Sequence, residues 1–259
     1  MTATKLARPV PPAGLQGRTV VITRPAGTAA ALVRRVRSLG GVPLLLPGLS
    51  LRGTADPAAA RDGLLAALAD ELVIFTSPAA VRHAARLAPL RTRATVLAVG
   101  MGTARVLVAH GIEAPLAPSQ QDSEGLLAHP ALQHLRGRHV ALVCAPGGRG
   151  VLRKQLAARG ARLRELHVYR RVPPRLDRRH VEALLRLPAS ARVLLSSAEA
   201  LGNLQHGLPP PAWARLCAAT AVASSERLAS AAAAAGFSRI VLAASALSAD
   251  LMTAAMRAD

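Results

Sequence analysis

Two stretches, Val73-Ile74-Phe75-Thr76-Ser77 and Val193-Leu194-Leu195-Ser196-Ser197, decide the reading of the fold. Each is a short apolar run that ends on two small hydroxyl residues. A continuous apolar run of this length suits a parallel strand buried on both faces. The hydroxyls suit the start of a helix, where a side-chain oxygen accepts from a free backbone N–H. The stretches stand 120 positions apart, and the offset holds beyond them: Leu32, Val36 and Gly40 meet Leu152, Leu156 and Gly160, and Val81 meets Leu201. With a few residues of slippage, Ala98-Val99-Gly100 meets Ala221-Val222-Ala223, and Gly111 meets Gly236. A period this long excludes a solenoid and predicts two similar halves.

Outward from those runs, each half alternates strand and helix. Residues 19–22 form a short apolar strand, Arg24-Pro25-Ala26-Gly27 turns the chain, and 29–39 carry Leu32, Val33, Val36 and Leu39 on one helical stripe. Gly40-Gly41 ends that helix, and 42–46 read as a second strand. Strands at 72–75 and 95–99 each precede a helix. Residues 140–143 lead through Pro146-Gly147-Gly148 into a helix to Arg159, capped by Gly160, and then a strand at 163–169. Strands at 193–195 and 216–220, each followed by a helix, and a last one at 240–242 complete the second half. Such alternation predicts an α/β fold of parallel sheets with helices on both faces.

The composition narrows the function. With 259 residues the chain can bury a core without staples, and Cys144 and Cys217 are too few for a disulfide framework or a multi-cysteine zinc site. No apolar run approaches the ~18 residues of a membrane helix. Residues 1–16 carry no apolar segment and are expected to be a flexible tail, so the sequence is read as soluble and cytoplasmic. The formal charge of +19 invites a nucleic-acid reading, but only Lys5 and Lys154 are lysines, and the arginines are spread along the chain. Their densest spots are Arg34, Arg35, Arg37 and Arg175, Arg178, Arg179, and aromatics at 2% give bases no stacking platform. A small polyanionic ligand accounts for the same charge.

In open parallel sheets, ligands bind past the carboxyl ends of strands. Four such ends look alike here: Phe75-Thr76-Ser77-Pro78, Leu195-Ser196-Ser197-Ala198, Val99-Gly100-Met101-Gly102-Thr103-Ala104, and Pro146-Gly147-Gly148-Arg149. Each opens a helix whose free N–H groups and positive dipole end can hold an anion. Thr76, Ser77, Ser196 and Ser197 are equally readable as plain N-caps. The chain has no phosphate-binding G-x-x-x-x-G-K-[ST] run, and Gly100-Met101-Gly102 lacks the rest of a dinucleotide fingerprint. The eight histidines show no paired spacing and no cysteine neighbour, and Cys144 has no histidine in its motif to activate it. Asp70-Glu71 reads as solvated. The only tyrosine, Tyr169, followed by Arg170-Arg171, is either an interface filler or a phenolic donor over the site.

Read in order, these motifs resemble the uroporphyrinogen-III synthase family over residues 17–255. The likeness rests on Ile22-Thr23-Arg24-Pro25, Phe75-Thr76-Ser77-Pro78 with Val81, Val99-Gly100 with Thr103-Ala104, and Ser123-Glu124-Gly125-Leu126-Leu127. It continues through Gly147-Gly148-Arg149, Val168-Tyr169-Arg170-Arg171 and Leu195-Ser196-Ser197. The resemblance implies two flavodoxin-like domains joined by two crossing strands: 17–48 with 173–259, and 49–172, with a cleft between them. It implies an enzyme of heme and other tetrapyrrole biosynthesis, a lyase that cyclises linear hydroxymethylbilane, with its eight carboxylates, to uroporphyrinogen III. Ring D inverts through a spirocyclic intermediate and water is lost, without metal or cofactor. By family position, Tyr169 is the candidate proton donor. Arg24, Thr76, Ser77, Gly100, Thr103, Gly148, Arg149, Ser196, Ser197 and Ser225 are the candidate substrate-binding residues. A monomer with transient contact to hydroxymethylbilane synthase is expected, with no nucleic-acid or membrane partner. Three departures stand out: Ala221-Val222-Ala223-Ser224-Ser225-Glu226, where relatives carry a glycine and Thr-Ala; Val143-Cys144-Ala145; and Pro78-Ala79-Ala80, which lacks an asparagine. They leave open a tetrapyrrole-binding paralogue without turnover, and the charge of +19 leaves open a basic nucleic-acid-binding protein.

Overall fold

The computed structural model describes residues 14–147 and 150–257. The chain divides into two compact units, one built from residues up to Ser50 and from Val172 onward, the other from Leu51–Arg171. The first unit opens with β1 (Thr19–Ile22), α1 (Ala30–Ser38) and β2 (Val42–Leu45). β3 (Ser50–Gly53) leads into the second unit, which contains α2 (Pro57–Leu68), β4 (Leu72–Phe75), α3 (Pro78–Leu87), β5 (Thr95–Ala98) and α4 (Met101–Ala109). It continues with α5 (Ser123–Ala128), a 3-10 turn at Pro130–Leu132, β6 (His139–Cys144), α6 (Val151–Ala158) and β7 (Arg162–His167). β8 (Tyr169–Val172) returns the chain, pairing with β3, to α7 (Arg178–Leu185), β9 (Arg192–Leu195), α8 (Ala198–Gly207) and α9 (Pro210–Cys217). The first unit ends with β10 (Thr220–Ala223), α10 (Glu226–Ala234), β11 (Ile240–Leu242) and α11 (Ser248–Arg257).

Both main sheets are parallel, in the orders β11-β10-β9-β1-β2 and β5-β4-β6-β7. The apolar runs work as expected of strands covered on both sides. In the first unit Val21, Val193, Leu195, Ala221 and Ala223 pack with Leu184, Leu201, Leu204, Leu216 and Leu228 of α7–α10. Their neighbours Val20, Ile22, Leu194 and Val222 face the other way, onto Leu32 and Val36 of α1 and Leu251 and Met252 of α11. In the second unit Val73, Phe75, Ala141 and Val143 meet α2, α3 and α4. Leu72, Ile74, Val140, Leu142 and Cys144 meet Leu126, Leu127, Leu152 and Leu156 of α5 and α6. Alternate residues of every central strand thus feed two cores. Among the described residues no helix is long and apolar enough to cross a membrane.

Four expectations need correction. Asp70 is not solvated: it is buried, and its carboxylate accepts from Arg164 Nε at 2.9 Å. Residues 1–13 of the expected tail lie outside the described residues, but Leu15 is fully buried, and its N–H donates to the Leu39 carbonyl at 2.8 Å. The strand expected at 216–220 is β10 at Thr220–Ala223; Leu216 and Cys217 end α9, which starts on proline at its first turn. The strand expected at 163–169 is two strands. Val168 keeps a bond from its N–H to the Cys144 carbonyl, 3.2 Å, and Tyr169 then leaves β6 to begin β8.

Candidate active site

In the second unit the chain turns back between β4 and β6. β5 lies on one side of this pair and β7 on the other, which makes it the switch point where ligands bind in open sheets. A cavity of about 410 Å³ opens at the carboxyl ends of those strands. Thr76, Ser77, Cys144, Gly147, Tyr169 and Arg171 are among its lining residues. Two larger hollows, each about 750 Å³, lie at the amino ends, beside Thr95 and beside Asp70-Glu71, away from the helix N-termini that favour anions.

Ser77 caps α3: its Oγ accepts from the Ala80 N–H at 3.1 Å. The same oxygen lies 3.2 Å from the Tyr169 hydroxyl. Two hydroxyl protons serve the pair. One is used between them, so one O–H remains for a ligand whichever oxygen donates. Tyr169 is 7% exposed, and its ring stacks on His83 with centroids 5.2 Å apart and planes 15° off parallel. Burial, and then the charge of Arg86, push the His83 imidazole below its ordinary pKa, which favours its neutral form. Beside the pair, Thr76 donates its hydroxyl to the Val143 carbonyl at 3.3 Å.

The opposite wall is the loop from β6 to α6. Gly147 and Gly150 have φ of +78° and +63°, a region where side chains are strained. Arg171 donates to the Pro146 carbonyl at 2.9 Å and so binds the loop to β8. The Cys144 thiol is pushed up to about 12, first by burial and then by Glu165, so it is no nucleophile at neutral pH. The lining carries Asp122, Glu124 and Glu165 against Arg153 and Arg171. These opposite charges nearly balance, so the lining carries no net positive charge.

The expected site residues separate between the units. Thr76, Ser77 and Tyr169 come together in this cavity, whereas Gly148 and Arg149 lie outside the described residues. Gly100 N-caps α4, but the next N–H, of Met101, is already bonded to Gln121 Oε1 at 3.1 Å. Thr103 is 4% exposed within α4. In the first unit Arg24 follows β1 and donates to the Ala246 carbonyl at 3.0 Å; burial lowers its pKa, though a guanidinium stays charged. Ser196 and Ser197 follow β9, the neighbour of β1, so they occupy that sheet's own switch point. Ser197 and Ser225 are N-caps, accepting from Ala200 at 3.2 Å and Leu228 at 3.4 Å. The plain capping role is thus present for both, and Ser77 adds the phenol.

Three features escaped the sequence reading. His83 was invisible because stacking on Tyr169 joins residues far apart in the chain. Gln121 occupies a turn by the same kind of long-range contact. His167 meets a cysteine in space, although none stands at ligand spacing from it in the chain, because β6 and β7 pair in a register that sets Cys144 opposite His167. The Glu165-x-His167 spacing on a strand, which points both side chains to one face, was the available signal.

Residues 30–252 match the family model described as "Uroporphyrinogen-III synthase HemD". The uroporphyrinogen-III synthase of Escherichia coli K12 is 31% identical over 224 residues, 81% of this chain and 88% of that one. The enzyme of the same name from Salmonella typhimurium is 32% identical over 167 residues, 61% of this chain and 67% of that one. The chain spans 61% of the length of a relative from Methanothermobacter thermautotrophicus, at 32% identity. Two solved structures share the fold. A mutant uroporphyrinogen III synthase of the extremely thermophilic bacterium Thermus thermophilus has a TM-score of 0.58 at 24% identity, over 93% of this chain and 98% of that one. Uroporphyrinogen-III synthetase of Helicobacter pylori has 0.59 at 15%, over 91% and 96%.

Proposed function

The chain belongs to the uroporphyrinogen-III synthase family, and from that premise we propose that it converts hydroxymethylbilane to uroporphyrinogen III with loss of water. The observation that carries the proposal is the Ser77–Tyr169 hydroxyl pair, 3.2 Å apart, at the carboxyl end of β4. The terminal hydroxyl of the bilane takes the free proton of this pair as its C–O bond breaks. Water leaves, and an azafulvenium-like cation remains. Ring D, as the nucleophile, attacks this cation to form the spirocyclic intermediate, which reopens, and the macrocycle closes with ring D inverted. The proton released on restoring the pyrrole replaces the one donated, so neither metal nor redox partner enters the balance.

The protein's share is positional and electrostatic. The positive dipole end of the α3 N-terminus attracts substrate carboxylates, fixing a flexible chain in one geometry. Asp122 and Glu124, in the same lining, suit a cation that develops during the reaction. The test supplies fresh hydroxymethylbilane and follows the type III product. Tyr169→Phe is expected to keep the fold and substrate binding but slow turnover by about tenfold or more, at or below the low end of the ~10²–10⁴-fold range of general-acid effects. Ser77→Ala costs less turnover, because the phenol can still donate, and about 1 kcal/mol of stability from the lost cap. A Tyr169→Phe variant that turns over at the wild-type rate reduces the phenol to packing.

A further inference from the structure

Outside the hydroxyl pair, one cluster has a donor set of its own. Cys144 Sγ lies 3.7 Å from Glu165 Oε1, and His167 Nε2 lies 3.0 Å from the same oxygen. One ligand atom from each of the three residues falls within 4.8 Å of the others. Cys144 and His167 are partners across β6 and β7, and Glu165 shares its strand face with His167, so the sheet itself fixes the triangle. Thiolate, imidazole and carboxylate are the usual donors to zinc. With metal–ligand bonds of about 2.0–2.3 Å, tetrahedral donors stand roughly 3.3–3.8 Å apart. The sulfur–oxygen spacing already fits, and the nitrogen–oxygen spacing needs only to open slightly.

We propose that Cys144, Glu165 and His167 form a binding site for one zinc-class divalent cation, distinct from the Ser77–Tyr169 pair and not required for turnover. Binding replaces the thiol proton: the S–H bond breaks, a sulfur–metal bond forms, and one proton goes to solvent. The ion's two positive charges are balanced by thiolate and carboxylate. Arg153 competes for Glu165, but at 3.8 Å, with its side chain 57% exposed, it is a weak rival. Three protein donors leave a fourth position, and Cys144 and Glu165 both line the cavity, so water or a ligand carboxylate can complete the shell.

The test uses the untagged full chain after chelation and dialysis. It is titrated with Zn²⁺ by calorimetry and with Co²⁺ by absorption, where thiolate ligation gives a charge-transfer band. The expected result is one ion per chain with that band. Cys144→Ala removes the band. His167→Gln, at an exposed position that spares the fold, keeps the band but weakens Zn²⁺ by at least about tenfold. Cys217→Ala, at the other thiol, changes neither. The proposal is overturned if wild type shows no thiolate band, if the band survives Cys144→Ala, or if His167→Gln binds Zn²⁺ as tightly as wild type.

Discussion

At Ser77 one oxygen both accepts from the Ala80 N–H and meets the Tyr169 phenol. A cap and a candidate site residue are therefore the same atom, which is why the sequence could not separate the two readings. Ser197 has the same sequence context and the same cap, and differs in lacking a phenol opposite it among the described residues. Behind the phenol, His83 has its pKa lowered by burial and then by Arg86. The native state therefore binds this proton less readily than the unfolded chain. Its stabilising share is present above the ordinary histidine pKa near 6.5 and is lost as pH falls through the lowered value. The denaturant midpoint is expected to drop between about pH 7.5 and about pH 5, a window above the ordinary carboxylate range, and His83→Gln should shrink that drop. An equal drop in the variant would mean that other groups set it.

At the scale of elements, β4, β9 and β6 were legible because strands covered on both faces leave unbroken apolar runs. The 216–220 misplacement has the opposite cause. Leu216-Cys217-Ala218-Ala219 is just such a run, yet a helix begun at Pro210 carries through Cys217 before β10 starts. Three prolines at 209–211 were the start signal. No periodicity betrays the anchor of α11. Arg192, 3% exposed at the head of β9, donates to the Ala255 carbonyl at 3.3 Å and the Ser190 carbonyl at 2.7 Å. Arg192→Ala strands the Ala255 carbonyl in the interior and leaves a void, so a stability loss of about 2–4 kcal/mol is expected in urea titration. A change within about 0.5 kcal/mol, the range of surface substitutions, would show that water replaces the guanidinium at no cost.

At the scale of the molecule, the 120-residue offset maps β9 and β10 onto β4 and β5, and β1 and β2 onto β6 and β7. The sheet orders then coincide: β10-β9-β1-β2 against β5-β4-β6-β7. The same sheet is entered at different points, so the second unit is a circular rearrangement of the first. Among the described residues of these two sheets only β11 lacks a counterpart strand; at its place beside β5 there is a bridge, Leu97 to Leu116. The repeat was legible, but the order was not, because pairing is set by which strand faces fit rather than by succession. The charge of +19 also belongs to this scale. Toward a substrate with many carboxylates it should speed encounter, so kcat/KM is expected to fall at least about fivefold from ~0.02 to ~0.5 M salt. A flat response would leave the arginines without a steering role. The most direct measurement remains the identity of the product. With hydroxymethylbilane generated in situ and EDTA in excess, the account predicts the type III isomer, formed well above the blank rate. Type I alone, at the rate of the protein-free blank, would contradict it.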